Sequence, residues 1–288
     1  MADITQLLQT PRGKFFVRDT QFGYPVVLLH GWPESSYCWQ ALLPHFGPGL
    51  RLIRPDLRGM GDSERTPEPT AYHKHELAAD VLALIDALGI GEFCLAGHDW
   101  GGAVAQELAW LAPSRVKKLA ILNILIINNL KGNLAAREVL KAGGVNFTWY
   151  QAFMQQAHLP EQMIQGNEEV WLRHFLRLAH QKPFPEAALA EYVRTFRIPG
   201  TAATTANYYR ALPADTKRWA TYAGQPFAMP TLCIHGQRDV VIIPAYLQHA
   251  EECFVDLVVQ QLDAGHFIME EQPAQVAQLL TTFFAAGK

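Results

Sequence analysis

The sequence predicts an α/β protein: a mostly parallel sheet flanked by helices, with one helical block inserted into it. Three observations carry this. Short apolar runs alternate with helical patterns through the first half of the chain. From about residue 125 to 225 clear strand patterns stop and the pattern is mostly helical. After Pro230 the alternation resumes. Strands that read as short continuous apolar runs, separated by helices, belong to sheets covered on both faces.

The elements follow in order. Phe15 to Arg18, Pro25 to Leu29 and Leu52 to Pro55 read as strands. His75 to Leu88 reads as an amphipathic helix, because Leu77, Val81, Leu84, Ile85 and Leu88 recur at a helical period; Gly89 is a stop signal. Phe93 to Ala96 is a strand that runs through a glycine-rich turn into a helix over Ala103 to Leu111, and Leu119 to Leu122 is the next strand. The helical block is rich in aromatics, among them Trp149, Tyr150, Trp171, Phe175, Tyr192, Phe196, Tyr208, Tyr209 and Trp219. At helical spacing most of these are expected to be packing residues. Thr231 to His235 and Leu257 to Leu262 read as strands, and Ala274 to Phe284 as a closing helix. The implied organisation is a core domain of residues 1–124 and 226–288 with a helical lid, or cap, over 125–225.

Bulk properties narrow the function. The chain has 288 residues, 49% apolar and 18% charged, with a formal net charge of −3. That is a globular composition, with no basic field for nucleic acid and no polybasic run for an anionic membrane. The N-terminus lacks the basic and apolar regions of a secretory signal. The most apolar stretch, Leu119 to Ile127, is far short of the roughly 20 residues that span a bilayer. The expectation is a soluble, cytoplasmic chain. Cys38, Cys94, Cys233 and Cys253 show no metal-binding spacing and read as small hydrophobes in a reduced compartment.

The chemistry is concentrated in Gly97-His98-Asp99-Trp100-Gly101-Gly102. This segment follows a strand and opens a helix, the context of a nucleophile elbow. Glycines before and after the apex relieve a turn in which side chains would collide. The helix N-terminus behind it favours negative charge. The apex residue is Asp99, where a serine would be usual. A carboxylate is an ionised nucleophile that displaces at carbon and leaves an ester on the enzyme. Attack on an acyl group would give a costly anhydride; attack on an epoxide or an alkyl halide gives a stable ester that water can cleave. An aspartate that only caps the helix would not require the flanking glycines.

His30-Gly31-Trp32-Pro33 follows an apolar strand and can aim a backbone N–H at a developing oxyanion; a second donor follows the nucleophile, at Trp100. Cleaving the ester needs a base. Among 11 histidines, His266 stands just after the last apolar strand, where parallel sheets place their sites. His30 and His98 are expected to hold loops. The acid that orients the base should lie between nucleophile and base in the chain. Asp239, after Thr231 to His235, fits; after Leu122 the next carboxylate is the distant Glu138.

These residues resemble a family. His30-Gly31-Trp32-Pro33-Glu34-Ser35, Asp56-Leu57-Arg58-Gly59-Met60-Gly61-Asp62-Ser63 and the Asp99 turn look like the epoxide hydrolases of the α/β-hydrolase fold. The likeness runs through essentially the whole chain, including Asp239 and His266. The motifs are shared with haloalkane and haloacetate dehalogenases. Epoxide hydrolases of this family use two lid tyrosines as acids. Phe147-Thr148-Trp149-Tyr150-Gln151 and Asn207-Tyr208-Tyr209-Arg210 are similar to those segments, which carries the roles to Tyr150 and Tyr209, with Tyr208 the adjacent alternative. Trp100 stands where fluoroacetate dehalogenases have arginine, although it would suit the halide site of a haloalkane dehalogenase. Ala190-Glu191-Tyr192-Val193-Arg194 also has a haloacetate-dehalogenase character.

The resemblance implies an epoxide hydrolase that makes vicinal diols. Asp99 attacks, Tyr150 and Tyr209 protonate the oxygen, His266 oriented by Asp239 activates water, and the amides of Trp32 and Trp100 form the oxyanion hole. No metal or organic cofactor is implied. The expected partners are a small epoxide and water, with no nucleic acid or membrane; a homodimer is left open. The rivals are a dehalogenase with the same nucleophile and, from another class, a ligand-binding protein on the same scaffold without turnover.

Overall fold

The structure, a computed structural model, describes residues 3–143, 147–177 and 183–285. Its strands are β1 (Ile4–Thr10), β2 (Gly13–Asp19), β3 (Tyr24–Leu29), β4 (Leu50–Pro55), β5 (Phe93–His98), β6 (Val116–Leu122), β7 (Thr231–Gly236) and β8 (Leu257–Leu262). They form one sheet in the order β1-β2-β4-β3-β5-β6-β7-β8. The β1–β2 and β2–β4 pairs are antiparallel and every other pair is parallel.

Burial explains which strands the sequence announces. β5 and β7 are buried at every position, as parallel strands covered on both faces must be. β1, absent from the sequence-based expectations, has no regular polar/apolar alternation and is mostly exposed at one edge. Its partner β2 was legible only over its centre. β8 closes the opposite edge, also largely exposed.

Helix α1 (Lys74–Ala87) connects β4 to β5 and α2 (Trp100–Leu111) connects β5 to β6. Gly89 ends the first of these with a φ of +68, where a left-handed residue closes the last turn. α2 begins three residues earlier than its apolar period suggests, because Gly101 and Gly102 hide the first turn. Between β6 and β7 come α3 (Leu130–Ala142), α4 (Trp149–Met154), α5 (Leu159–Ile164), α6 (Glu168–Leu176), α7 (Glu186–Phe196), α8 (Thr201–Arg210) and α9 (Leu212–Trp219). No strand occurs among the described residues from 125 to 225. α10 (Ile268–Glu271) and α11 (Pro273–Ala285) complete the chain. Among the described residues no helix is long and apolar enough to cross a membrane. All four cysteines are buried and free.

The topology places the site. From β3 the chain steps to β4 on one side and then returns to β5 on the other. At such a reversal the loops leaving the two central strands diverge and open a crevice at their carboxyl ends. The loop after β3 contains His30 to Pro33, and the turn after β5 contains Asp99.

Candidate active site

Asp99 sits between β5 and α2 with φ +47 and ψ −129, a conformation that side chains rarely adopt. Two glycines show how tight the turn is. A Cβ on Gly97 would lie 2.3 Å from the carbonyl oxygen of Gly101, and one on Gly31 would lie 2.4 Å from Cβ of Asp99. The strained backbone lifts the carboxylate out of the sheet end and against the β3 loop.

The two carboxylate oxygens of Asp99 have different neighbours. Oδ1 accepts the backbone N–H of Trp32 at 2.8 Å. Oδ2 faces Nε2 of His266 at 3.6 Å. Burial pushes the Asp99 carboxyl up, but His266, His98 and the backbone N–H of Trp100 bring it below the usual carboxylate range. Asp99 is therefore ionised at neutral pH, with both expected oxyanion donors beside it.

His266 lies in the loop between β8 and α10. Its Nδ1 is 2.8 Å from Oδ2 of Asp239. The other oxygen of Asp239 accepts the N–H groups of Val241 at 2.7 Å and Ile242 at 3.0 Å, which fixes the carboxylate after β7. Asp239 thus holds the proton on Nδ1 and leaves Nε2 pointing at Asp99. Burial pulls the imidazole down, but Asp239 and Asp99 raise it further, to about 10. At rest it is a cation between two carboxylates.

Tyr150 on α4 and Tyr209 on α8 are buried, 4% and 1% exposed, and stand over this group. Their rings meet edge to face at 5.6 Å, and both pack on Trp32, at 5.3 and 5.5 Å. Burial, with the charge of Asp99, raises both phenols well above their ordinary value, so both keep their protons. Tyr208 points elsewhere: its hydroxyl donates to the carbonyl of Arg58 at 2.8 Å. Adjacent residues on a helix are turned about 100° apart, so only one of the pair can face the cavity. That residue is Tyr209. A cavity of about 610 Å³ reaches Asp99, Trp100, Tyr150 and Tyr209 and continues between apolar residues such as Leu134 and Ile242. It is large enough for a substrate of drug size.

The other two histidines tie loops. His30 contacts the Gly31 carbonyl at 2.9 Å through Nδ1 and accepts the Leu57 N–H at 3.0 Å through Nε2. His98 donates from Nε2 to the carbonyl of His266 at 2.8 Å. Several supporting residues were given no role by the sequence. Asn123, after β6, donates to the carbonyls of Gly265 and His266, each at 2.7 Å, and accepts the Gly236 N–H at 2.7 Å. Glu271 accepts the Gly265 N–H at 2.9 Å. Glu34 is buried with Oε2 3.4 Å from Nδ1 of His98. A short polar residue after a strand has many uses, and only its three-dimensional neighbours reveal which one applies.

Residues 24–273 match the α/β hydrolase fold family. The chain is 33% identical to the soluble epoxide hydrolase of Corynebacterium sp. (strain C12), over 91% of each chain. It is 26% identical to the bifunctional epoxide hydrolase 2 of Sus scrofa, covering 90% of this chain but 51% of that protein. Among solved structures, an epoxide hydrolase from an endophytic Streptomyces superimposes with a TM-score of 0.84 at 25% identity, covering 98% of this chain and 95% of that one.

Proposed function

This chain belongs to the α/β-hydrolase family, and within that family we propose that it is an epoxide hydrolase working through an ester on Asp99. The observation that carries the reading is the division of the Asp99 carboxylate: one oxygen on the Trp32 amide, the other open toward His266, with two protonated phenols above. The epoxide hydrolases among its relatives support the substrate class.

In this scheme Oδ2 attacks the less hindered epoxide carbon and the C–O bond breaks. The alkoxide takes a proton from Tyr150 or Tyr209. Asp99, now an ester, has lost its charge, so His266 loses one of the two carboxylates that hold its proton. It returns a proton to the phenolate and becomes a base. It then deprotonates water, which attacks Cγ of Asp99. The oxyanion develops on Oδ1, which accepts the Trp32 amide, with the Trp100 amide also on the Asp99 carboxylate, so little reorganisation is needed. Collapse breaks the ester C–O bond, the leaving alkoxide takes the remaining water proton from the new Asp99 carboxyl, and the vicinal diol departs with His266 protonated and Asp99 ionised, as at the start. Residues 125–225 act as the cap that brings the phenols over a core formed by 1–124 and 226–288.

Incubation with styrene oxide tests the reading. The parent should form the diol and Asp99→Ala should form none while keeping its thermal unfolding transition. A fully active Asp99→Ala protein would overturn it. One observation favours a second reading. The indole Nε1 of Trp32 is buried with no hydrogen-bond partner among the described residues, and the Trp100 indole lies against the Tyr209 hydroxyl. Two indole donors beside a carboxylate could hold a departing halide. Halide release from 1-bromobutane without diol formation from any epoxide would make the protein a dehalogenase.

A further inference from the structure

Lys74 opens α1 at a place where the sequence, His73-Lys74-His75-Glu76, looks like a solvated helix start. It is instead 0% exposed. Its ammonium donates to the carbonyl of Tyr208 at 2.5 Å and pairs with Asp215 of α9 at 3.0 Å. It also stands 4.2 Å from the centre of the Trp100 ring, the distance of a cation–π contact. Asp215 is buried as well and accepts the backbone N–H of Lys74 at 3.2 Å. A lysine in the interior is expensive, and a buried ion pair is a weak source of stability. A pair of apolar side chains would hold α8 and α9 on the core at lower cost.

What distinguishes this ammonium is what it touches. The Tyr208 carbonyl belongs to the residue before Tyr209. The Trp100 ring belongs to the residue after Asp99, and its edge packs against the Tyr209 ring at 5.5 Å. Lys74 thus grips Tyr209 from two sides, through the backbone of α8 and through the indole that the phenol leans on. The Trp100 amide is held separately, by the start of α2.

We propose that Lys74 is a positioning residue for epoxide opening, which fixes the Trp100 ring and the Tyr208–Tyr209 backbone so that the Tyr209 hydroxyl meets the oxygen of an epoxide seated on Asp99. The inference rests on the assignment of Tyr209 as an acid. It separates the two half-reactions: ester formation depends on Lys74, whereas ester hydrolysis, which uses His266 and the backbone amides, does not.

The test is Lys74→Met combined with Asp215→Asn. The pair of changes removes both buried charges and keeps an oxygen to accept the Lys74 N–H. Rapid-quench single turnovers on styrene oxide give ester formation and ester hydrolysis separately. Displacement of an acid by an ångström slows a reaction on the order of a hundredfold. Ester formation should therefore fall about tenfold to a hundredfold, with the substrate dissociation constant from the same single turnovers and ester hydrolysis nearly unchanged. In a Tyr209→Phe background the same two changes should slow ester formation less than about twofold, because residues acting through one group are not additive. An equal fall in both half-reactions, or the full fall in the Tyr209→Phe background, would reduce Lys74 to a structural clamp and overturn the proposal. So would an unchanged rate of ester formation. If Tyr209→Phe by itself opens the epoxide at the parent rate, the fault lies in the Tyr209 assignment, and the role of Lys74 falls with it. Should the double variant fail to fold, Asp215→Asn alone loosens one side of the ammonium and must show the same split at smaller size.

Discussion

Asp99→Asn should turn His266 from a cation into a neutral base. The substitution keeps the shape of the side chain and removes its charge, as alkylation of Asp99 would in the proposed scheme. The His266 Nε2 to Asp99 Oδ2 distance is 3.6 Å. At an effective dielectric constant near 20, unit charges at about this distance attract by roughly 4 kcal/mol. That corresponds to about a thousandfold in proton affinity. The imidazole, now held at about 10 by Asp239 and Asp99 against the opposing effect of burial, should drop back toward neutrality with only Asp239 left. The sign follows from the pairing: a nearby anion favours the charged imidazole, so removing it lowers the pKa. NMR of ring-labelled histidine across pH 5 to 11 reads the change, with intact mass verifying that the amide has not reverted. If His266 titrates in Asp99→Asn as it does in the parent, then the charge of Asp99 does not hold its proton. The handover between half-reactions would then need another cause.

Other consequences are simpler to read. Tyr150→Phe and Tyr209→Phe should each slow epoxide opening by the loss of one donor to a developing oxyanion, about 3 kcal/mol; the double variant should barely open styrene oxide in a single turnover. Tyr208→Phe should leave that rate intact and cost about 1 kcal/mol of stability in urea unfolding, since its hydroxyl serves the Arg58 carbonyl. Asn123→Asp keeps the acceptor for Gly236 but places an anion against the carbonyls of Gly265 and His266. It should destabilise the fold by roughly 2–3 kcal/mol and slow ester hydrolysis more than ester formation. Because His266 is raised on folding, the stability it contributes is full below its ordinary value of 6.5 and is lost as pH rises through about 10. Urea midpoints should show this loss in the parent and lack it in His266→Gln.

The residues that the sequence makes legible are those with local geometric demands. A strained apex needs glycines at set offsets, so Asp99 and Trp100 stand out. A base in a parallel sheet sits after a late strand, which singles out His266, and Asp239 follows from chain order. The parallel strands show as apolar runs because both of their faces are covered. β1 is hidden because this largely exposed edge strand, with Thr5-Gln6 and Leu7-Leu8 side by side, carries neither a continuous apolar run nor an alternating pattern. The choice between Tyr208 and Tyr209 depends on the rotation of α8 against the cavity, which the repeat of the helix alone does not set. Lys74 and Asp215 are the plainest misdirection: charged residues at helix starts usually face water, and only the packing of α8 and α9 buries them. Asn123 is similar, since its value lies in three backbone groups contributed by the end of β7 and the loop after β8, far away in the chain.

The claim on which the rest depends is that the reaction passes through an ester on Asp99. His266→Gln should leave attack intact, because Asp99 is ionised without help, and should stop the cleavage that follows. Mixing that variant with styrene oxide and measuring its intact mass tests this directly. The protein should become heavier by the mass of one styrene oxide, with the added mass on the peptide containing Asp99. A folded, substrate-binding His266→Gln protein that gains no mass and shows no single-turnover burst would contradict it.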